Sequence, residues 1–293
     1  MGIYKLLRNG ISTIALAALL FAFPASSQEA STEDGSIEET ARQLNNPVGT
    51  VWNIVFQNNY KLLNGDISSK NRGLWLTNFQ PVMPLPVTRN WNLIARPILP
   101  ILSAPVPLTN GNFDRQTGLG DIAFQAFVSP NKTSGLVWGL GPVLGFTTAT
   151  DNGLGTDKWT AGPAALALYV SQQWVVGALV TQIWSYAGKS RSDDVSIGTL
   201  QYFVTRILPG GWQTGLGTPI ITANWEADSD DRWTVPVGPS VGRTFRVGKI
   251  PLQVSLEASY AVVHPDTFGE RWNFRLVLKP VIPALIKKPL FGN

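Results

Sequence analysis

The chain of 293 residues has no cysteine, one histidine and two methionines, and only 14 % of it is charged. Zero cysteine excludes disulfides, thiolate metal sites and cysteine nucleophiles. Soluble domains usually carry about a quarter charged residues, so charge this sparse argues against an ordinary aqueous surface. No basic cluster with interleaved aromatics occurs, which removes the footprint of a nucleic-acid partner. Long apolar runs are missing as well. Beyond the N-terminal leader no stretch of about 18 apolar residues exists, so a bundle of membrane-spanning helices is excluded.

The leader itself reads as a secretory signal over residues 1–27. Lys5 and Arg8 form its positive end, Ile11 to Phe23 its apolar run, and Ala25, Ser26 and Ser27 the small residues before a cut at Gln28. A membrane anchor is the alternative, for which the run is short. Removing Lys5 and Arg8 takes the formal charge from +4 to +2, so the mature chain is barely basic. Residues 28–49 read as a periplasmic segment with one short helix, SIEETARQLNN, with Ser36 at the N-cap, Glu39 in capping-box position and Asn46-Pro47 as the stop.

What fills the rest is period-two alternation. Twelve segments begin near Thr50, Gly73, Trp91, Gly118, Leu136, Thr160, Trp174, Val195, Trp212, Trp233, Pro251 and Arg271. Each is about ten residues, the length a tilted strand needs to cross a hydrocarbon layer. The clearest places Leu252, Val254, Leu256, Ala258, Tyr260 and Val262 on one face and Gln253, Ser255, Glu257 and Ser259 on the other. Gaps after odd segments are long and polar, as in KLLNGDISSKNR, APVPLTNGNFDRQT and EADSDDR; those after even segments are mostly tighter, as in SQQ and RVGK. The eleven tryptophans fall near segment ends, where an indole prefers the headgroup level. These features predict an all-β fold: a transmembrane antiparallel up-and-down β-barrel of about 12 strands over residues 50–281, with aromatic girdles and a C-terminal tail at 282–293. Trp52, Trp91, Trp138, Trp174 and Trp212 are expected in the periplasmic girdle, and Trp75, Trp184, Trp225, Trp233 and Trp272 in the outer one, with Trp159 just beyond. Pro97, Pro100 and Pro219 make segments three, eight and nine the weakest. A secreted β-sandwich shares the alternation but would bury its tryptophans at mid-strand.

Several stretches carry a family resemblance: QLNNPVGTVWNIVFQNNY, NFQPVMP, WNLIARPILPI, GLGDIAFQAFVSP, WGLGPVLGFTTATDNGLGTDKWTAGPAALAL and QIWSYAG. Running in order from about Gln43 to Leu278, they resemble the bacterial outer-membrane family labelled "MetA-pathway of phenol degradation", relatives of which also carry the label neuromedin U. The resemblance implies an outer-membrane barrel with a role in solute passage. It brings no substrate and no functional residues. The tail KPVIPALIKKPLFGN beyond Leu278 departs from barrels that end on an aromatic residue.

The alternation alone nominates the inward residues: Asn53, Gln57, Asn78, Gln80, Asn92, Arg96, Asp121, Gln125, Gln201, Gln253, Glu257 and Arg275. Confining charge inward avoids the roughly 2–4 kcal/mol that Arg or Lys costs at the lipid midplane. Aligning Leu256 with Leu276 sets Glu257 against Arg275 and Tyr260 against Trp272. Arg96 and Asp121 fall on facing segments. Such residues predict a mixed-charge eyelet that filters solutes, or else salt bridges that merely fill the barrel. Inward glycines, as in GLGPVLG, favour room for a channel, and the short helix is a candidate partial plug of the periplasmic mouth. His264 invites comparison with a barrel enzyme acting on lipid through Ser and His. The loop acids Glu226, Asp228, Asp230 and Asp231 lack a full calcium-loop signature. The expected protein is thus an outer-membrane channel passing small solutes by passive diffusion, with outer-membrane lipid and solute as partners and no cofactor; the resemblance implies hydrophobic or aromatic solutes, while the polar lumen argues equally for small hydrophilic ones. A lipid-acting enzyme and a non-conducting barrel are the alternatives.

Overall fold

A computed structural model describes residues 36–286 and 288–291; residues 1–27, read above as a secretory signal, and residues 28–35 lie outside the described residues. Helix α1 spans Ile37–Leu44, one residue after Ser36, with Glu38 and Glu39 in its first turn, where carboxylates suit the helix dipole. Strands follow: β1 Asn53–Gly65, β2 Ser68–Pro86, β3 Trp91–Pro107, β4 Phe113–Leu119, β5 Ile122–Pro130, β6 Gly135–Phe146, β7 Lys158–Val170 and β8 Trp174–Gly188. The second half holds β9 Ser196–Ile207, β10 Trp212–Gly217, β11 Ile220–Asn224, β12 Trp233–Val237, β13 Ser240–Val247, β14 Ile250–Val263 and β15 Gly269–Pro280. Three of the spanning strands are broken in the middle, as β4/β5, β10/β11 and β12/β13. The fifteen pieces therefore make a closed antiparallel barrel of twelve strands, sealed by β1 against β15 with Phe56 opposite Leu278. Closure leaves no edge, which lipid could not hydrogen-bond.

The last hairpin has the register that its alternation requires: Leu256 opposite Leu276, Glu257 opposite Arg275, Tyr260 opposite Trp272. A slip of one residue would turn the buried charges outward. Elsewhere the structure corrects the expected strand ends. KLLNGDISSKNR is not a loop: Lys61, Leu62 and Leu63 pair with Leu74, Gly73 and Arg72, and the chain turns only after Gly65. Gly65 has φ +155° and lies so close to the Asp266 and Thr267 carbonyls that a Cβ would sit 2.5 Å from them. Segment three is continuous despite Pro97 and Pro100. The β2–β3 ladder lapses between Phe79↔Leu99 and Met83↔Ala95, the stretch holding Pro81 and Pro97, then resumes in the same register. Two strands thus concentrate their missing N–H groups in one place. Segment eight, β9, is also unbroken.

The outward face is apolar from strand to strand, with Val128, Leu140, Val176, Val180, Leu200, Val241, Leu256 and Phe274 exposed. At the long-loop end Trp75, Trp159, Trp184, Trp225, Trp233 and Trp272 are exposed; Trp225 and Trp233 meet edge to face at 5.6 Å, and Tyr260 meets Trp272 at 4.9 Å. At the short-turn end Trp91 meets Trp138 at 5.7 Å, and Arg206 and Arg243 lie over Trp174 and Trp212. Rings backed by guanidinium groups at two levels suit the two interfaces of a bilayer. Trp52 is the exception to the expected girdle. It is buried, and its Nε1 donates to the Pro84 carbonyl at 2.9 Å.

Candidate lumen site

The short-turn mouth is filled by the chain's own N-terminal segment. Arg42 donates to the Gln172 carbonyl (2.9 Å) and Glu38 accepts from the Gly210 amide (2.9 Å), so α1 reaches two separate turns of the rim. Past the helix, Asn45 donates to Gln213 at 2.7 Å, and Lys279 Nζ donates to the Leu44 carbonyl at 2.8 Å. The Asn46 side chain accepts from the Val48 amide at 3.1 Å, turning Val48 into the barrel. There Val48 joins Val55, Val82, Ile94, Phe127 and Val137 in one apolar cluster. Glycine makes the space: a Cβ on Gly139 would stand 3.2 Å from Val48 and 3.3 Å from Phe127. The room left at this inward glycine is therefore taken by the plug and is not open channel. The C-terminal tail adds a second strap, with the Leu290 and Phe291 amides bonded to the Pro86 and Val87 carbonyls.

Above this floor lies a cavity of about 190 Å³, bounded below by Leu44, Asn45, Asn46 and Pro47. Eight nominated residues line it: Asn53, Gln57, Asn78, Gln80, Arg96, Gln125, Gln201 and Glu257. The lining is not uniformly polar. Val55, Val82, Ile98, Phe203, Ile220 and Val277 share it, and the inward side of β6–β8 is packed with Val143, Leu166, Leu168, Val175 and Leu179.

Glu257 and Arg275 form the charged centre. Arg275 Nη1 stands 3.0 Å from Glu257 Oε2 and donates to the Thr218 carbonyl at 2.9 Å, while Nε donates to Asn59 at 2.8 Å. The Gln57 amide lies 2.9 Å from the same Nε. Arg275 thus stands behind the cavity wall, held on several sides. The strand break beside it supplies partners that a regular ladder would have consumed. Between Gly215↔Ser240 and Thr222↔Thr234 the β10/β11 strand has no ladder pairing with β12/β13, a stretch that holds Pro219, Pro236 and Pro239. Prolines bring no N–H to be left over there. Side chains satisfy much of the remainder: Thr218 N donates to Glu257 (3.1 Å), Gly217 N to Ser240 Oγ (2.9 Å), and Tyr202 reaches over to the Pro236 carbonyl (3.1 Å).

Three other nominated residues stand outside the cavity, each for a visible reason. Asp121, at the break between β4 and β5, does not meet Arg96. Its carboxylate accepts from the Thr148, Ala149 and Thr156 amides at 3.1, 3.2 and 2.7 Å and staples the 147–157 loop, because alternation does not carry across a strand break. Gln253 is fully buried at the short-turn end against Gln213 (2.9 Å) and Thr244 (3.3 Å). Asn92 bonds Asn131 in the neighbouring turn at 3.2 Å. Sequence reasoning misses two residues. Lys279 falls in the stretch that reads as tail, although it continues the inward parity of Arg275 and Val277. Val48 reads as connection, yet it is the apolar residue after Asn-Asn-Pro.

Arg96, the other cavity cation, is opposite Gln125. It is 9 % exposed, and its Nε and Nη1 have no hydrogen-bond partner. His264 Nδ1 lies 2.8 Å from the Pro265 carbonyl, and no serine or acid is bonded to the ring among the described residues. No metal-binding group of three or more such ligands occurs among the described residues. Of the loop acids, Asp231 ties down Thr267, accepting from its amide at 2.8 Å.

No protein-family model and no curated protein matches the chain. Among solved structures, an outer membrane channel from Pseudomonas putida F1 is similar at a TM-score of 0.55 and 19 % identity, over 79 % of this chain and 94 % of that one. The shared property is the barrel fold. The β domain of the Bordetella autotransporter BrkA matches at a TM-score of 0.44 and 14 % identity, over 79 % of this chain and all of that one, too low to add to the argument.

Proposed function

We propose that this barrel is an outer-membrane channel that passes small solutes by diffusion, closed toward the periplasm by its own N-terminal segment. The observation that carries the reading is the cavity inside a lipid-compatible wall, with residues 44–47 as its floor. Apolar strands and two aromatic levels support residence in a bilayer; a signal over residues 1–27 supports export to the outer membrane, with residues 28–49 periplasmic. The likeness to an outer membrane channel and the resemblance to the phenol-degradation family point the same way. Passage requires the 37–48 segment to withdraw, breaking its polar bonds at the rim and exposing Ala41, Leu44 and Val48.

Planar-bilayer recording of the refolded protein tests this. Wild type should show small, rare openings, and a variant lacking residues 37–47 should conduct continuously. A correctly folded barrel that carries neither current nor solute in both forms refutes the channel.

A further inference from the structure

The cavity's charges do not cancel. Glu257 is its one carboxylate among the described lining residues, and that charge is already matched by Arg275 at 3.0 Å. Arg96 and Lys279 remain, both on the same wall of space and neither in an ion pair among the described residues. Lys279 spends one N–H on the Leu44 carbonyl. Arg96 is more exceptional: nine-tenths buried, set against a neutral amide, with two of its three nitrogens unpartnered. A buried guanidinium without an acceptor is costly; Nε and Nη1 have almost no exposed surface as placed, and a turn of the guanidinium toward the cavity would let an anion there remove that cost. The neighbouring surface restricts the anion's kind. Val55, Val82, Ile98 and Val277 flank the cations, so a bare inorganic ion would leave apolar wall uncovered.

Resting on the channel reading, we infer that the cavity is a binding site for small organic carboxylates, with Arg96 and Lys279 taking the carboxylate and the adjoining valines and isoleucine an aliphatic body. The solute class passed by the channel is then monocarboxylic acids in ionised form. Arg275 plays no part in binding; it neutralises Glu257, which would otherwise repel the ligand.

The test uses the mature, detergent-solubilised protein, with hexanoate and its neutral isostere hexanamide titrated calorimetrically at neutral pH. Hexanoate should bind at least about tenfold more tightly than hexanamide, the scale of a charge-assisted pair. Arg96→Gln, with Lys279 still present, should shrink the difference at least severalfold and leave hexanamide unchanged. The wild-type comparison stands alone should that variant not fold. Equal binding of the two probes, or chloride competing as well as hexanoate, overturns the inference. Bilayer currents separate the two readings. Hexanoate preference without any current or flux keeps the site and sinks the channel; current without preference keeps the channel and sinks the site.

Discussion

Replacing Arg275 with methionine should cost more than removing the whole ion pair. The guanidinium bonds Asn59, Thr218 and Glu257 at 2.8–3.1 Å, and the Arg275 and Glu257 side chains are 7 % and 12 % exposed. Arg275→Met leaves the Glu257 carboxylate buried with only Thr218 as donor, and the Thr218 carbonyl with Gln201 alone, at 3.2 Å. Breaking one side of a buried pair costs about 3–5 kcal/mol. In Arg275→Met/Glu257→Gln no charge is stranded, and the introduced amide oxygen still offers an acceptor to Thr218. That double variant should regain about half the loss, since replacing both partners of a buried pair is often near neutral. The assay is reversible urea unfolding of the barrel in micelles or vesicles, comparing midpoints at constant slope. Equal losses in the single and double variants would show that the arginine acts by packing, not charge, and would refute the reasoning.

Other perturbations give distinct signals. Val48→Asp should release the plug, because a carboxylate cannot enter the Val55–Phe127 cluster; open probability should rise severalfold with the barrel's melting behaviour unchanged, and an unchanged record would detach Val48 from gating. Gly141→Ala should fail to give a folded, heat-modifiable band on electrophoresis, since its Cβ would lie 1.7 Å from the Ala126 carbonyl, inside the backbone of β5. The two Thr267 hydrogen bonds hold the Asp231 carboxyl below the ordinary carboxylate range. The tie between the loops is therefore complete above that range and is lost as pH falls through the lowered value. Amide exchange at Thr267 should accelerate only in that acid window, and acceleration nearer neutrality would assign the tie to another group.

The barrel is legible in the sequence because its signals are repeated. Leu256 against Leu276 sets Glu257 on Arg275 by parity alone, and nothing between Pro251 and Lys279 except one turn interrupts the count. Parity fails where the chain breaks. Gly120 resets the alternation, so Asp121 swings into a loop, and Thr218-Pro219 opens backbone groups that then gather Glu257, Arg275 and Gln201. Trp52 reads as a girdle residue by position, but its place depends on Pro84 of the neighbouring strand β2, a contact thirty-two residues away in sequence. The seat of the plug is equally out of reach. Val48 is recognised only by the hollow at Gly139, made by strands laid down ninety residues later.

Sealing β1 against β15 has a kinetic consequence. Phe56 and Leu278 are roughly 220 residues apart, so closing that ladder carries the largest loop-closure entropy in the molecule and depends on every intervening strand being in place. The plug's anchors at Gln172, Gly210, Gln213 and Lys279 come from turns and strands spread around the ring, and they form one rim only after the ring is complete. Docking of residues 37–48 is then the final event of assembly. An uncapped barrel is its immediate precursor, so burial of Val48 against Phe127 and Val137 would serve as a clock for maturation.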